Sequence, residues 1–216
     1  MFDTATARRL MVDGQVRIAD VTDLDLIEAM LTLPRERFVP PSLAALAYLD
    51  NDIPIAKGRA LLKPMVLAKL IQAAHVRHTD HVLDVACGTG YSSALLARVA
   101  GSVVALEEDA DLARLAKEAL AAVGAAVAVN VGPLTGGWAA AAPYDVILLN
   151  GATEVVPEAL GRQLKPDGRL ACVYGRFPAT RATIFRVSEG RLVGRPGFDA
   201  AAPLLPGSAA PPEFAF

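Results

Sequence analysis

The run His81-Val-Leu-Asp-Val-Ala-Cys-Gly-Thr-Gly-Tyr91 constrains this chain more than any other feature. It reads as a buried strand that enters a tight glycine loop, with Asp84 just ahead of the glycines. Gly88 and Gly90 have no Cβ, so a ligand can lie against main-chain N–H groups at the start of a helix. The next apolar run, Val103-Val104-Ala105-Leu106, ends in Glu107. An acidic side chain there suits the hydroxyls of a ribose. The two segments together describe a nucleoside crevice at the carboxyl ends of adjacent parallel strands.

The loop also bears on which nucleoside binds. A dinucleotide fingerprint wants a third glycine at position 93, for close helix–strand packing. This chain has Ser92 and Ser93 there, which weakens a pyrophosphate-binding reading without removing it. The pattern present is acidic-x-small-x-Gly-x-Gly, carried by Asp84, Ala86, Gly88 and Gly90, and it resembles motif I of S-adenosylmethionine-dependent methyltransferases. In that reading Asp84 holds the cationic amino group of the methionine end. Tyr91, which opens the helix beyond the loop, is either a cofactor contact or a packing residue. Glu108, Leu134 and Asn150 complete the candidate cofactor set, and Asp109 reads as the N-cap of the following helix.

The elements predicted around this loop alternate as a doubly wound α/β fold does. Strands are expected at 81–86, 102–107, 126–131, 144–149 and 168–174, with helices at 91–99 and 110–122 and a short helix from Pro157. Residues 183–187 and 191–193, joined at Glu189-Gly190, read as an antiparallel hairpin completing the sheet. Residues 4–50 form a helical preface, in which Asp23 caps a helix carrying Leu24, Ile27 and Leu31 on one face. Residues 52–63 read as a loop, and Pro64 starts a helix with Val66, Leu67, Leu70, Ile71 and Ala74 on one stripe. One domain is expected over 1–216: preface and substrate-side loop 1–63, core 64–198 and an irregular tail 199–216.

Composition narrows the partners. A net charge of −2 gives no electrostatic case for nucleic acid. No apolar run reaches the ~20 residues that cross a bilayer, and the N-terminus has no apolar signal core. Cys87 and Cys172 read as small buried residues of a cytoplasmic protein. His75, His78 and His81 read as exposed imidazoles, and no metal site is expected.

Ordered blocks along the chain resemble the protein-L-isoaspartate O-methyltransferase family from about residue 10 to residue 198. They are Pro34-Arg-x-Arg-Phe-Val-Pro40, Ala47-Tyr48-x-Asp50 with Pro54-Ile55, Gly58 and Pro64, Val82 to Tyr91, Gly136-Gly137-Trp138, Ala142-Pro-Tyr-Asp145, and Pro157-Glu-Ala-Leu160 leading to Gln163-Leu-Lys-Pro-x-Gly-Arg-Leu170. The resemblance implies a Rossmann-like, mostly parallel seven-stranded sheet. It also implies methyl transfer from S-adenosyl-L-methionine to the carboxylate of isoaspartyl residues in damaged proteins, by a monomer or homodimer.

Two departures qualify that expectation. The family's substrate-contacting Ser or Thr corresponds to Leu62, and its Gly-Asp-Gly after the third core strand is Gly132-Pro133-Leu134 here. A small-molecule carboxylate acceptor, or a cofactor-binding protein with little turnover, therefore stands beside isoaspartyl methylation. Arg59 and Lys63 are either solvated charges on a mobile loop or donors that replace the lost hydroxyl; solvation is the plainer expectation. Trp138 reads as a lid or packing residue near the adenine.

Overall fold

A computed structural model describes residues 3–211. The first two residues and 212–216, where the expected single domain and irregular tail reach their ends, lie outside the described residues. Helix α1 (Thr4–Met11) is capped by Asp3, and α2 (Leu24–Thr32) by Asp23, whose carboxylate accepts from the Leu26 N–H at 3.0 Å. The cap is as expected, but the buried face of α2 is Leu26, Ile27 and Met30, while Leu24 is 73% exposed. Leu24 is the first residue after the N-cap, on the opening turn of the helix.

The segment expected to be a loop is a small hairpin: β1 (Ile53–Ala56) pairs antiparallel with β2 (Arg59–Leu61) and, among the described residues, with no other strand. Each strand is too short for alternation to stand out, and Pro54 masks the first. Gly58, at φ +69°, closes the turn. Helix α3 (Pro64–Ala73) follows, with its apolar stripe Val66, Leu67, Leu70, Ile71 and Ala74 buried as expected.

The core then unfolds in order: β3 (His81–Val85), α4 (Tyr91–Val99), β4 (Ser102–Glu107), α5 (Ala110–Ala122), β5 (Ala128–Val131), β6 (Tyr144–Thr153), α6 (Glu158–Gly161), β7 (Leu164–Tyr174), β8 (Arg181–Ser188) and β9 (Arg191–Asp199). The seven core strands lie in the order β5-β4-β3-β6-β7-β8-β9. The first five are parallel, and β8 and β9 are antiparallel additions at one edge. Both faces of the sheet are apolar, because helices cover a parallel sheet on each side. Val82, Ala105, Val146, Leu148 and Val173 pack against one layer; Leu83, Leu106, Ile147, Leu149 and Leu170 pack against the other.

The chain reverses direction across the sheet at β3, which has β4 on one side and β6 on the other. The carboxyl ends of these strands therefore diverge, and that is where an open α/β sheet takes its ligand. Strand β6 runs beyond its expected end because the tail lies against it. The Ala152 N–H donates to the Pro203 carbonyl at 2.8 Å, the Leu205 N–H donates to the Ala152 carbonyl at 2.9 Å, and Leu205 is buried over Gly151. Among its described residues the tail has no helix or long strand, yet it is fastened.

Candidate cofactor crevice

Leaving β3, the main chain turns through three left-handed residues, Ala86 (φ +62°), Gly88 (φ +58°) and Gly90 (φ +94°), before α4 begins. Gly88 also meets a steric demand, since a Cβ there would lie 2.6 Å from Ile55 Cδ1 on the hairpin. Ala86 carries its Cβ in a region that favours glycine, and its methyl group is buried in the second apolar layer.

Asp84 is fully buried. Its Oδ2 accepts from the Ser92 and Ser93 hydroxyls, each at 2.6 Å, while Oδ1 has no partner. Asn150, at the crevice end of β6, donates to Ser92 Oγ at 2.6 Å and leaves its own Oδ1 unpartnered. Of the two serines that stand in place of a third glycine, Ser92 thus connects Asp84 to Asn150. Burial pushes the Asp84 carboxyl up to about 7; the serine hydroxyls oppose that rise, Glu107 adds to it and Arg59 opposes it.

Glu107 is also fully buried, and its carboxylate is saturated. Oε2 accepts from the Gly88 N–H at 2.8 Å, and Oε1 accepts from the N–H groups of Glu108 and Asp109 at 3.0 and 3.2 Å. The remaining partner is Arg59, which grips Oε1 and Oε2 through Nη1 and Nη2 at 2.6 and 2.7 Å. Arg59 is only 7% exposed, which corrects its reading as a solvated charge on a mobile loop. In β2 it shares an inward face with Leu61, and a buried guanidinium needs an anion. The missed signal was the pairing of Arg59 with Leu61 two residues on, across a Lys-Gly turn from Ile53 and Ile55. Lys63 precedes α3, and its N–H donates to Asp52 at 2.8 Å.

The other candidates divide. Leu134 is buried in the second apolar layer beside the loop, at the start of a short 3-10 turn. The Glu108 side chain is exposed, and Asp109 caps α5. Tyr91 packs edge to face against Phe38 at 5.4 Å, beneath the Arg35 guanidinium at 4.7 Å, so its ring faces the helical preface. Leu62 is fully buried in the first apolar layer, and its carbonyl accepts from Arg35 Nη2 at 2.7 Å. Trp138 is half-buried beside Gly132, with its main-chain N–H donating to Gln163 Oε1 at 2.8 Å. His81 is half-buried and stacks on Tyr144 at 4.9 Å, unlike exposed His75 and His78. Among the described residues, no three His, Cys, Asp or Glu side chains group as a metal site.

Known proteins share this fold. A solved protein-L-isoaspartate O-methyltransferase aligns at TM-score 0.79 and 24% identity, covering 93% of this chain and 66% of the other. A Plasmodium falciparum structure solved in complex with S-adenosyl-L-homocysteine aligns at TM-score 0.75 and 15% identity, covering 94% of this chain and 97% of the other. At such identities these likenesses concern the fold. In sequence, the chain is 41% identical to a protein-L-isoaspartate O-methyltransferase of Methylorubrum extorquens, over 87% of this chain and 81% of the relative. It is 37% identical to one of Methanoculleus marisnigri, over 78% and 77%. Residues 9–190 match the profile of the family described as protein-L-isoaspartate(D-aspartate) O-methyltransferase, and the chain belongs to that family.

Proposed function

We propose that this chain transfers a methyl group from S-adenosylmethionine to the carboxylate of an isoaspartyl residue. The observation that carries the reading is a fully buried Asp84 with one oxygen unpartnered, beside the bare main chain of Gly88 and Gly90 at the point where the sheet reverses. The residues present fit this cofactor. Asp84 Oδ1 and Asn150 Oδ1 are buried acceptors without partners, suited to the amino group of the methionine end. Glu107 suits the ribose hydroxyls once Arg59 yields its share of the carboxylate, and Leu134 borders the adenine side. When bound, S-adenosylmethionine supplies an electrophilic methyl group on a sulfonium.

The remaining chemistry asks little of the protein beyond alignment and exclusion of water. A carboxylate with a pKa of about 4 is ionised at neutral pH, so no side chain need act as a base. What the acceptor needs is a donor that fixes its orientation. The segment Gly58-Arg-Ala-Leu-Leu-Lys-Pro64 offers no hydroxyl for that purpose. That absence supports a second reading, a small-molecule carboxylate as acceptor. Incubation with labelled S-adenosylmethionine decides between them: label should enter an isoaspartyl peptide as an alkali-labile ester and should not enter its aspartyl counterpart. Equal labelling of both peptides, or of neither, counts against the first reading.

No described helix is long and apolar enough to cross a membrane. The free, buried thiols of Cys87 and Cys172 support a reducing compartment such as the cytoplasm.

Asp84 gives this reading a pH signature. Its carboxyl lies near 7 in the folded chain against 3.8 ordinarily, so the folded state holds a proton that the unfolded state has lost. Its contribution to stability therefore falls as pH rises from about 4 to about 7, then levels off. A cationic amino group facing Asp84 favours the ionised form. Affinity for S-adenosylhomocysteine should rise between about pH 6 and about pH 8, with proton release visible by calorimetry in buffers of different ionisation enthalpy. Asp84→Asn should weaken binding and flatten that slope. A wild-type affinity that is level across the range would show that Asp84 does not meet the ligand's cation.

A further inference from the structure

Resting on the function proposed above, we infer that Arg59 is the receptor for the acceptor's carboxylate, held on Glu107 until the cofactor site fills. The acceptor can then dock only after the cofactor.

The argument begins with Glu107, all of whose acceptor positions are in use. A ribose diol needs two of them. The N–H groups of Gly88, Glu108 and Asp109 belong to the glycine loop and the end of β4, where the sheet and α5 fix them. Of the five N–H donors, only the two of Arg59 reach Glu107 from the hairpin. That hairpin is two strands of four and three residues that, among the described residues, pair only with each other, and such a ribbon is marginal by itself. Its turn at Gly58 stands in open space, and Ile55 rests its Cδ1 on Gly88. The same small element therefore covers both the sugar position and the bare main chain, and it is the part able to withdraw.

Once off Glu107, the guanidinium cannot stay unpaired in so enclosed a place. An acceptor carboxylate satisfies it with the same two-pronged geometry that Glu107 now provides. The other buried guanidinium nearby, Arg35, donates through Nε and Nη2 to the carbonyls of Ala47 and Leu62, each at 2.7 Å, and covers the Tyr91 ring; only Nη1 is left without a partner, so Arg35 has no free two-pronged edge for a carboxylate. With Asp84 and Glu107 both acidic, an incoming carboxylate would otherwise meet like charge. Arg59 offsets it. The missing hydroxyl between Gly58 and Pro64 then has a substitute three residues before Leu62.

The test compares wild type with Arg59→Met and Arg59→Lys. Binding of S-adenosylhomocysteine is measured by calorimetry, and binding of an isoaspartyl peptide by fluorescence polarisation with and without S-adenosylhomocysteine. KM and kcat for that peptide complete the set. Arg59→Met should bind S-adenosylhomocysteine about tenfold tighter, because the competing closed state is lost. Its KM for the peptide should rise about tenfold to hundredfold, with kcat less affected. Arg59→Lys keeps the charge without the fork, so it should tighten S-adenosylhomocysteine while recovering part of the peptide affinity. Wild type should bind peptide only when S-adenosylhomocysteine is present. Unchanged or weaker S-adenosylhomocysteine binding in both variants overturns this inference alone, as does an unchanged peptide KM in Arg59→Met. Failure of all three proteins to bind S-adenosylhomocysteine overturns the functional reading itself.

Discussion

Glu107→Gln should abolish detectable S-adenosylhomocysteine binding and also lower the melting temperature. Both effects follow from one fully buried carboxylate serving five N–H donors. An amide has one acceptor oxygen and a nitrogen that only donates, so in either orientation that nitrogen faces Arg59, together with the N–H of Gly88 or those of Glu108 and Asp109. The Arg59 guanidinium, 7% exposed, would keep its charge and lose its counter-ion. Breaking a buried pair by removing one partner costs ~3–5 kcal/mol, because the survivor is left uncompensated. For a chain of this size that corresponds to a drop of roughly 6–20 °C in melting temperature. Pairing the change with Arg59→Met removes the orphan charge, so Arg59→Met/Glu107→Gln should recover most of the stability and none of the binding. That split separates the two duties of Glu107. Thermal denaturation and calorimetry on the two single variants and the double variant close the cycle. If Glu107→Gln binds within threefold of wild type, the ribose does not use this carboxylate.

The sequence made the crevice legible, and the same reasoning explains why it hid what covers it. Asp84, the two glycines and Glu107 are read from strand–turn–helix punctuation, which is local. So are the helix starts at Asp23, Pro64 and Asp109, because caps act within a turn. The hairpin over residues 53–61 is not local in this sense. Its strands are short, one carries Pro54, and their hold on the molecule comes from Ile53, Arg59 and Leu61 facing inward. A cation two residues from an apolar side chain looks like a solvated surface until its partner, 48 positions away in the chain, is known. Ser92 and Ser93 show the same limit. They were informative only as missing glycines, although they stand in the first turn of α4, where their hydroxyls donate to Asp84. The tail behaves likewise, since Leu205 is ordered by Gly151, a contact that composition cannot announce.

Leu62→Ser sets the local and the distant reading against each other. The resemblance alone makes this a repair, returning a hydroxyl where the family carries one, and so a gain of isoaspartyl turnover. The packing makes it damage. Leu62 is 0% exposed within the first apolar layer, and Arg35 fastens its carbonyl from the preface. Serine there leaves a cavity and buries a hydroxyl without an assured partner. Deleting a buried leucine side chain costs ~2–5 kcal/mol, and an unsatisfied hydroxyl adds ~1–3 kcal/mol. Leu62→Ala removes nearly the same volume without adding a polar atom, so serine should be the less stable of the two in urea denaturation. Neither variant should exceed wild-type kcat/KM on an isoaspartyl peptide. A serine variant with wild-type stability and at least tenfold higher kcat/KM would mean that residue 62 turns toward the acceptor when the hairpin opens. The hydroxyl lost at Leu62, and not the guanidinium of Arg59, would then be the feature that limits this chain on that substrate.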